Sequence, residues 1–450
     1  MVEPFRTRLY WSAYVAATAP WSGRLPFRSP AAIKRIQRRQ IRAAISHAYR
    51  HVPRYREAID RLGLRPREFR TAADLARLPL LERADVQADP LPYTSSARPS
   101  SSYVSLSSSG TTGVPLSVYH DRFSLARAAG HRQRREAVIR KIVGRYRYRL
   151  LLLRPEGSTG QRAQRVFDRS TLLSSRLRPE QHRFSLHEPF EAVIEAINEF
   201  RPDVIASVGS YLEALFLHLH RRRSPVHLPR VVRYGSEALS EQARRLITDE
   251  FGVVVIGSYS AVEAPSLGFE CERHRGYHLN VDVCPLRIVD PEGRDVPVGE
   301  PGEIVISNLA SRGTMLLNYR LGDRASLIEE PCDCGRSLPL LSRVEARIGE
   351  WVVDAGGEWV HPLAFNYVLN EEAESIWRWR IEQERPGELA LSVVAKAGCD
   401  RGSLVDRLER RLGEPLGPGG RIVVRFVDEL PRTAAGKTPY FVSSTSDRST

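Results

Sequence analysis

The sequence predicts an α/β protein: a large N-terminal domain with a helical opening, an α/β core and a β region, then a small α+β C-terminal domain. Three observations carry this. The chain has 450 residues, too many for one ordinary hydrophobic core. Between residues 210 and 300, helix and strand patterns alternate, as in parallel strands joined by helices. After Arg347 the pattern changes to strand, helix, strand, helix, strand, a unit of about a hundred residues.

The elements follow in order. Ser29 is an N-cap with Pro30 at the first helical position, and Ile33, Ile36, Ile41, Ala44 and Ile45 recur at helical spacing up to Pro53. A second helix runs to Gly63 and Thr71 caps a third, so residues 1–92 form the helical opening. Phe123 to Ile142 reads as a helix, and Tyr148–Leu153 and Val204–Val208 as strands. Ser240 to Phe251 is helical and Val253–Ile256 is a buried strand. Arg287–Val289 and Glu303–Ser307 are strands joined across the turn Asp290-Pro291-Glu292-Gly293. In the last unit a helix starts at Pro362, strands span Leu389–Val394 and Arg421–Val427, and Ser403–Leu412 is helical.

Composition narrows the functions. Hydrophobic residues are 42% and charged residues 27%, which excludes wholesale disorder. Lys plus Arg number 67 against 53 Asp plus Glu, a net charge of +14 that favours anionic partners such as nucleotides, coenzymes and carboxylates. Only Lys34, Lys141, Lys396 and Lys437 are lysines, so each is informative. Arg35, Arg38, Arg39, Arg42 and Arg50 read as a solvated helix face, not as a nucleic-acid site. No stretch approaches the roughly eighteen apolar residues of a spanning helix. Leu9–Trp21 is diluted by Tyr10, Ser12, Tyr14 and Pro20 and reads as a segment docked on the fold. Five sparse cysteines are no disulfide framework, so a cytoplasmic location is expected.

The stretch from Ser107 to Pro115, with Ser108, Ser109, Gly110, Thr111, Thr112 and Gly113, combines hydroxyls with a free backbone, the chemistry of a phosphate cradle. No lysine follows as in a P-loop. Its order resembles the phosphate-binding signature of the AMP-forming adenylating enzymes, the acyl-CoA synthetase and luciferase superfamily. Four further stretches match in order. Tyr234-Gly235-Ser236-Glu237-Ala238-Leu239 resembles the adenine-binding turn, and Tyr259-Ser260-Ala261-Val262-Glu263 stands where the family has Tyr-Gly-x-Thr-Glu. Tyr319-Arg320-Leu321-Gly322-Asp323 resembles Tyr-Arg-x-Gly-Asp, and Arg347 fits the arginine before the hinge. Pro431-Arg432-Thr433-Ala434-Ala435-Gly436-Lys437 resembles the loop that delivers the catalytic lysine.

The resemblance implies roles. Lys437 would bridge the carboxylate and the α-phosphate of ATP, and Glu263 would hold Mg2+. Asp323 would accept the ribose hydroxyls and Tyr259 would face adenine. The acid pocket is expected beside Val208, Gly209, Ser210 and Tyr211. Within the superfamily the match is to the phenylacetate–CoA ligase branch, including capsule-biosynthesis-like members. Ala48 to Arg56, the short chain and the cysteine set point there. Cys271, His278, Cys332 and Cys334 are the expected ligands of a structural zinc, with His274 in reserve, while Cys284 and Cys399 read as core residues.

Three departures stand out. Ser260 replaces a glycine, Val262 replaces a threonine, and the hinge reads Ala346-Arg347-Ile348-Gly349-Glu350. Gly349 permits the φ/ψ change of a hinge. The expectation is a large domain, 1–347, that binds ATP and the acid, and a mobile lid, 348–450. The reaction expected is adenylation of a carboxylic acid, aryl acids following from the resemblance alone, then transfer to coenzyme A. The alternatives are transfer to an amine or hydroxyl, and a nucleotide-binding protein without turnover.

Overall fold

The computed structural model describes residues 4–107, 116–154, 159–172, 178–186, 188–344, 346–347, 352–357, 359–360, 365, 368–369, 371–372, 374–432 and 438–443. The opening is helical: α1 (Phe5–Arg24), α2 (Pro30–His51), α3 (Pro53–Arg61), α4 (Ala72–Leu75) and α5 (Arg83–Ala88). The Ser29 hydroxyl caps α2, and Thr71 and Asp74 form a reciprocal box at α4, each cap worth about 1 kcal/mol. The apolar face of α2 buries Ile41, Ala44, Ile45 and Ala48, while the arginines named above stay exposed. The stretch Leu9–Trp21 lies inside α1, which docks Trp11 and Tyr14 on Phe123. No helix among the described residues is long and apolar enough to cross a membrane.

The antiparallel pair β1 (Val104–Ser107) and β2 (Ser117–His120) flanks the Ser/Thr/Gly stretch, whose residues 108–115 lie outside the described residues. Next come α6 (Arg122–Val143), β3 (Arg149–Leu153), α7 (Thr159–Ser170), β4 (Glu180–Phe184), α8 (Phe190–Phe200), β5 (Val204–Ser207) and α9 (Gly209–Arg222). They are followed by β6 (Val231–Gly235), α10 (Glu241–Arg245) and β7 (Val254–Tyr259). A π-turn, Leu246–Glu250, ends the helix predicted from Ser240. Then come β8 (Gly268–Glu270) and β9 (Tyr277–Leu279).

Strands β4, β3, β5, β6 and β7 are mutually parallel, and β8 and β9 continue the sheet antiparallel. Helices cover both faces: α8 and α9 bury one side through Val193, Leu212 and Leu215, and α6 buries the other through Val138 and Ile139. The strands are therefore apolar on both sides, as parallel strands must be. A second sheet holds β10 (Leu286–Val289), β11 (Gly302–Ile306), β12 (Tyr319–Ala325) and, after β13 (Leu327–Ile328) and β14 (Leu340–Leu341) at the first sheet's edge, β15 (Ala346–Arg347).

The C-terminal region has its own core around Phe365, Ile381, Leu391, Leu404 and Leu408. After the pair β16 (Val352–Val353) and β17 (Trp359–Val360), it holds β18 (Ile376–Arg385), β19 (Glu388–Ala395), α11 (Arg401–Gly413), β20 (Arg421–Phe426) and β21 (Phe441–Ser443). The sheet order is β20-β19-β18-β21. The ten-residue β18 has no counterpart in the sequence reading, because Arg378, Arg380, Glu382 and Glu384 break up an apolar run. The helix expected at Pro362 falls largely outside the described residues.

Candidate active site

The parallel sheet brings the carboxyl ends of β5, β6 and β7 side by side: Ser207 pairs with Tyr234, and Gly235 with Ser258. Such edges are where open α/β sheets bind ligands. The 234–239 turn leaves β6 here, with Ser236 at φ 71°, a left-handed conformation unusual for a residue with a side chain. Helix α9 starts against this turn. Its Gly209 lies so close that an added Cβ would sit 1.9 Å from the Ala238 carbonyl oxygen. Gly209→Ala is therefore expected to push α9 off the turn. Misplacement of this order costs about 100-fold in rate, and strain of this kind about 1–3 kcal/mol in stability. Pyrophosphate exchange and urea unfolding would check the two effects.

Tyr259 ends β7, and its hydroxyl donates to Asp323 Oδ2 at 2.8 Å, joining the two sheets. Two sequence stretches sixty residues apart thus share one hydrogen bond. Glu263 follows in the next turn and is 1% exposed. Its Oε1 accepts from Arg83 Nη1 at 3.0 Å and from the Tyr319 hydroxyl at 3.3 Å, and its carbonyl accepts from Asn308 Nδ2 at 2.8 Å. The buried His120 ring lies beside it, with Nε2 2.9 Å from the Val262 carbonyl, and burial pushes its pKa down. Neutral His120 therefore donates to that carbonyl. Arg83, on the first turn of α5, is a residue the sequence reading missed. No local pattern marks it, because it reaches Glu263 only through the packing of the helical opening.

The C-terminal region reaches the same edge. The Thr438 N–H donates to Ser210 Oγ at 3.1 Å, and Ser210 donates to Glu237 Oε2 at 2.5 Å. Arg378 Nε lies 3.3 Å from Glu213 Oε1, and the Tyr440 hydroxyl donates to Glu213 Oε2 at 2.7 Å. Burial pushes the Glu213 carboxyl up, against the pull of Arg378. Arg432 stacks over Phe190 and Tyr211, 4.7 and 5.1 Å from the ring centroids. A cavity of about 320 Å³ remains along this seam, lined by α9 and by Arg378, Asp428 and Leu430. Lys437, one residue before Thr438, lies outside the described residues, as do Gly349 and the 108–113 loop. Arg347 is described by its backbone alone, in register with Asp323. Ser260 follows Tyr259 directly and is exposed.

A second constellation stands apart. One donor atom each from Cys271, His278, Cys332 and Cys334 lies within 4.8 Å of the others. The Cys271 and Cys332 sulfurs are 3.7 Å apart, and Cys334 Sγ is 3.3 Å from His278 Nε2. A tetrahedron of zinc bonds needs sulfur–sulfur edges of about 3.8 Å, so the donor set suits that ion. His274 is not in the group; its backbone is left-handed at φ 53°, and its carbonyl accepts from Arg343. The reserve ligand is thereby withdrawn. Cys284 is buried in the core and Cys399 is half-buried.

A model of the AMP-binding enzyme family matches residues 179–315. The phenylacetate-coenzyme A ligase of Thermus thermophilus is 25% identical over 440 residues, spanning 90% of this chain and 95% of the relative. That of Escherichia coli K12 is 26% identical over 395 residues, 84% and 85% of the two chains. The solved structure of 2-hydroxyisobutyryl-CoA ligase in the postadenylation state, in complex with R3-HIB-AMP, superposes with a TM-score of 0.73 at 18% identity, covering 94% of this chain and 92% of its own. These matches make the chain similar to the AMP-forming adenylating superfamily. Within it, the likeness is to the phenylacetate–CoA ligase branch.

Proposed function

We propose that this protein joins a carboxylic acid to coenzyme A in two steps at one site. The acid's carboxylate oxygen attacks the α-phosphorus of ATP, the α–β phosphoanhydride bond breaks, and pyrophosphate leaves. The coenzyme A thiolate then attacks the acyl carbonyl and AMP departs. The observation that carries this reading is the meeting, at one sheet edge, of the Tyr259–Asp323 pair, the buried Glu263 and the strand that follows Lys437.

Each residue has a role in it. Tyr259 and the Gly235-Ser236-Glu237 turn bound the adenine, and Asp323 takes the ribose hydroxyls. Ser108 to Gly113 cradle the phosphates, and Arg347 neutralises them from the next strand. One carboxylate plus substrate phosphates is the ligand set Mg2+ favours, and Glu263 supplies that carboxylate, with Arg83 as a second local cation. Mg2+ supplies charge neutralisation when bound. Zinc, held by Cys271, His278, Cys332 and Cys334, staples the β region. Residues 1–347 form the catalytic body and 348–450 the lid. Rotation of the lid about Gly349 would break the Arg378–Glu213 and Thr438–Ser210 contacts and clear α9 for the second step. The five free cysteines suit the reducing cytoplasm.

The test is carboxylate-dependent ATP–pyrophosphate exchange over a panel of acids, then thioester detection with coenzyme A. Exchange with thioester is the expected result. Exchange without thioester moves the acceptor to an amine or hydroxyl. ATP binding without exchange for any acid would overturn the reading.

A further inference from the structure

Beside the adenosine wall lies a concentration of arginine that none of these roles uses. On the face of the parallel sheet turned to α6, β6 carries Arg233 and β7 carries Ser258, the residue before Tyr259. Arg154 stands one residue past the end of β3. Helix α6 lays Arg135 and Glu136 across these strand ends. Arg135 Nη1 is 3.3 Å from Ser258 Oγ, and its Nη2 is 2.9 Å from Glu136 Oε1. Arg233 Nη1 reaches the same oxygen at 3.4 Å, while the Tyr148 hydroxyl donates to the other.

Two guanidiniums, those of Arg135 and Arg233, thus share one buried carboxylate. Burial alone would push the Glu136 carboxyl up, but Arg135 and Arg233 hold it down at about 2, so it is fully ionised. That carboxylate is saturated. Burial and then Arg135 bring Arg233 down to about 9. Among the described residues, the Arg154 guanidinium makes no hydrogen bond and no ion pair. Burial, then Arg135, bring it down to about 10. The offsetting charge is Glu237, whose Oε2 already accepts from Ser210. Arg135 Nε is also buried and unpartnered.

Holding several partly desolvated cations around one anion is costly unless a ligand completes the set. The reacting carboxylate is not that ligand, because it must face the α-phosphate. We infer that the acid substrate carries a second anionic group, a carboxylate or a phosphate ester, that docks between Arg135 and Arg154. This rests on the adenylation reading and narrows the substrate to doubly anionic acids. Planar forks of this kind hold such oxygens in paired hydrogen bonds. An apolar acid would instead bury the surplus charge against hydrocarbon.

The test is pyrophosphate exchange with matched acids: hexanoate against adipate, and phenylacetate against its 4-carboxy and 4-phosphooxy derivatives. A charge-assisted hydrogen-bonded pair predicts kcat/KM about 100-fold higher for the doubly anionic member. The two phenylacetate derivatives distinguish carboxylate from phosphate. Arg154→Met should narrow that ratio about 10-fold or more, and Arg154→Lys should retain part of it. Arg154 is the residue to change first, because Arg135→Met would also strip a partner from Glu136. Equal or better use of the singly charged acids, with the ratio unmoved in Arg154→Met, would overturn this inference and leave adenylation standing. Exchange with no acid at all would overturn the adenylation reading and this inference with it.

Discussion

Lys437→Ala is expected to lower carboxylate-dependent ATP–pyrophosphate exchange by about a thousandfold or more. In the first step one anion attacks another, and the barrier is set by how well the growing charge between carboxylate and α-phosphate is neutralised. Arg83 is held by Glu263, and Arg135 and Arg233 by Glu136. The other lysines offer no replacement: Lys141 pairs with Glu272 at 2.6 Å, Lys396 lies over Trp377, and Lys34 sits exposed on α2. The change should leave folding intact. Thr438 holds Ser210 through its backbone N–H, which an alanine at 437 does not remove. Thioester formation from pre-formed acyl-adenylate should persist, since the proposed scheme gives that step a different lid position. Unchanged exchange in the variant would sink the role given to Lys437.

Replacing Cys332 and Cys334 by Ser should remove zinc and loosen the β region. The wild type should carry about one zinc per chain, and the double variant almost none. The four donors come from the residue after β8, from β9 and from the loop before β14, so the ion would tie together strands that share few backbone hydrogen bonds. Structural zinc contributes on the order of 10 kcal/mol in small domains, and a melting temperature lower by several degrees is a modest expectation here. Four protein ligands leave no open coordination position, so adenylation at low temperature should survive. Metal analysis that finds no zinc in the wild type would end this proposal. Loss of exchange along with zinc in a folded variant would mean the ion reaches the chemistry.

Much of the fold was legible because it rests on local rules. Ser29-Pro30 and Thr71 announce helix starts through caps that work within a single turn. The parallel strands show as short apolar runs because both of their faces are covered. β18 was missed for the converse reason: charges break its apolar run, and a buried one, Arg378, is satisfied by Glu213, far off in sequence. The π-turn after Arg245 was equally hidden, since a helical pattern does not record how its hydrogen bonds slip.

The sequence by itself marked the class of protein and singled out the candidate nucleotide motifs, the four-residue metal set and the lysine-bearing loop, because each is a short pattern whose chemistry depends on the residues present. It could not decide what those motifs touch. That Arg83 neutralises Glu263, that Ser210 links Glu237 to Thr438, that His274 is not grouped with the thiols, and that Arg135 and Arg233 converge on one carboxylate were decided by tertiary packing. The physical reason is common to all four. Electrostatic partnership depends on distance through space, and a charge on a helix of the opening or on a distant strand carries no local mark of the group it will meet.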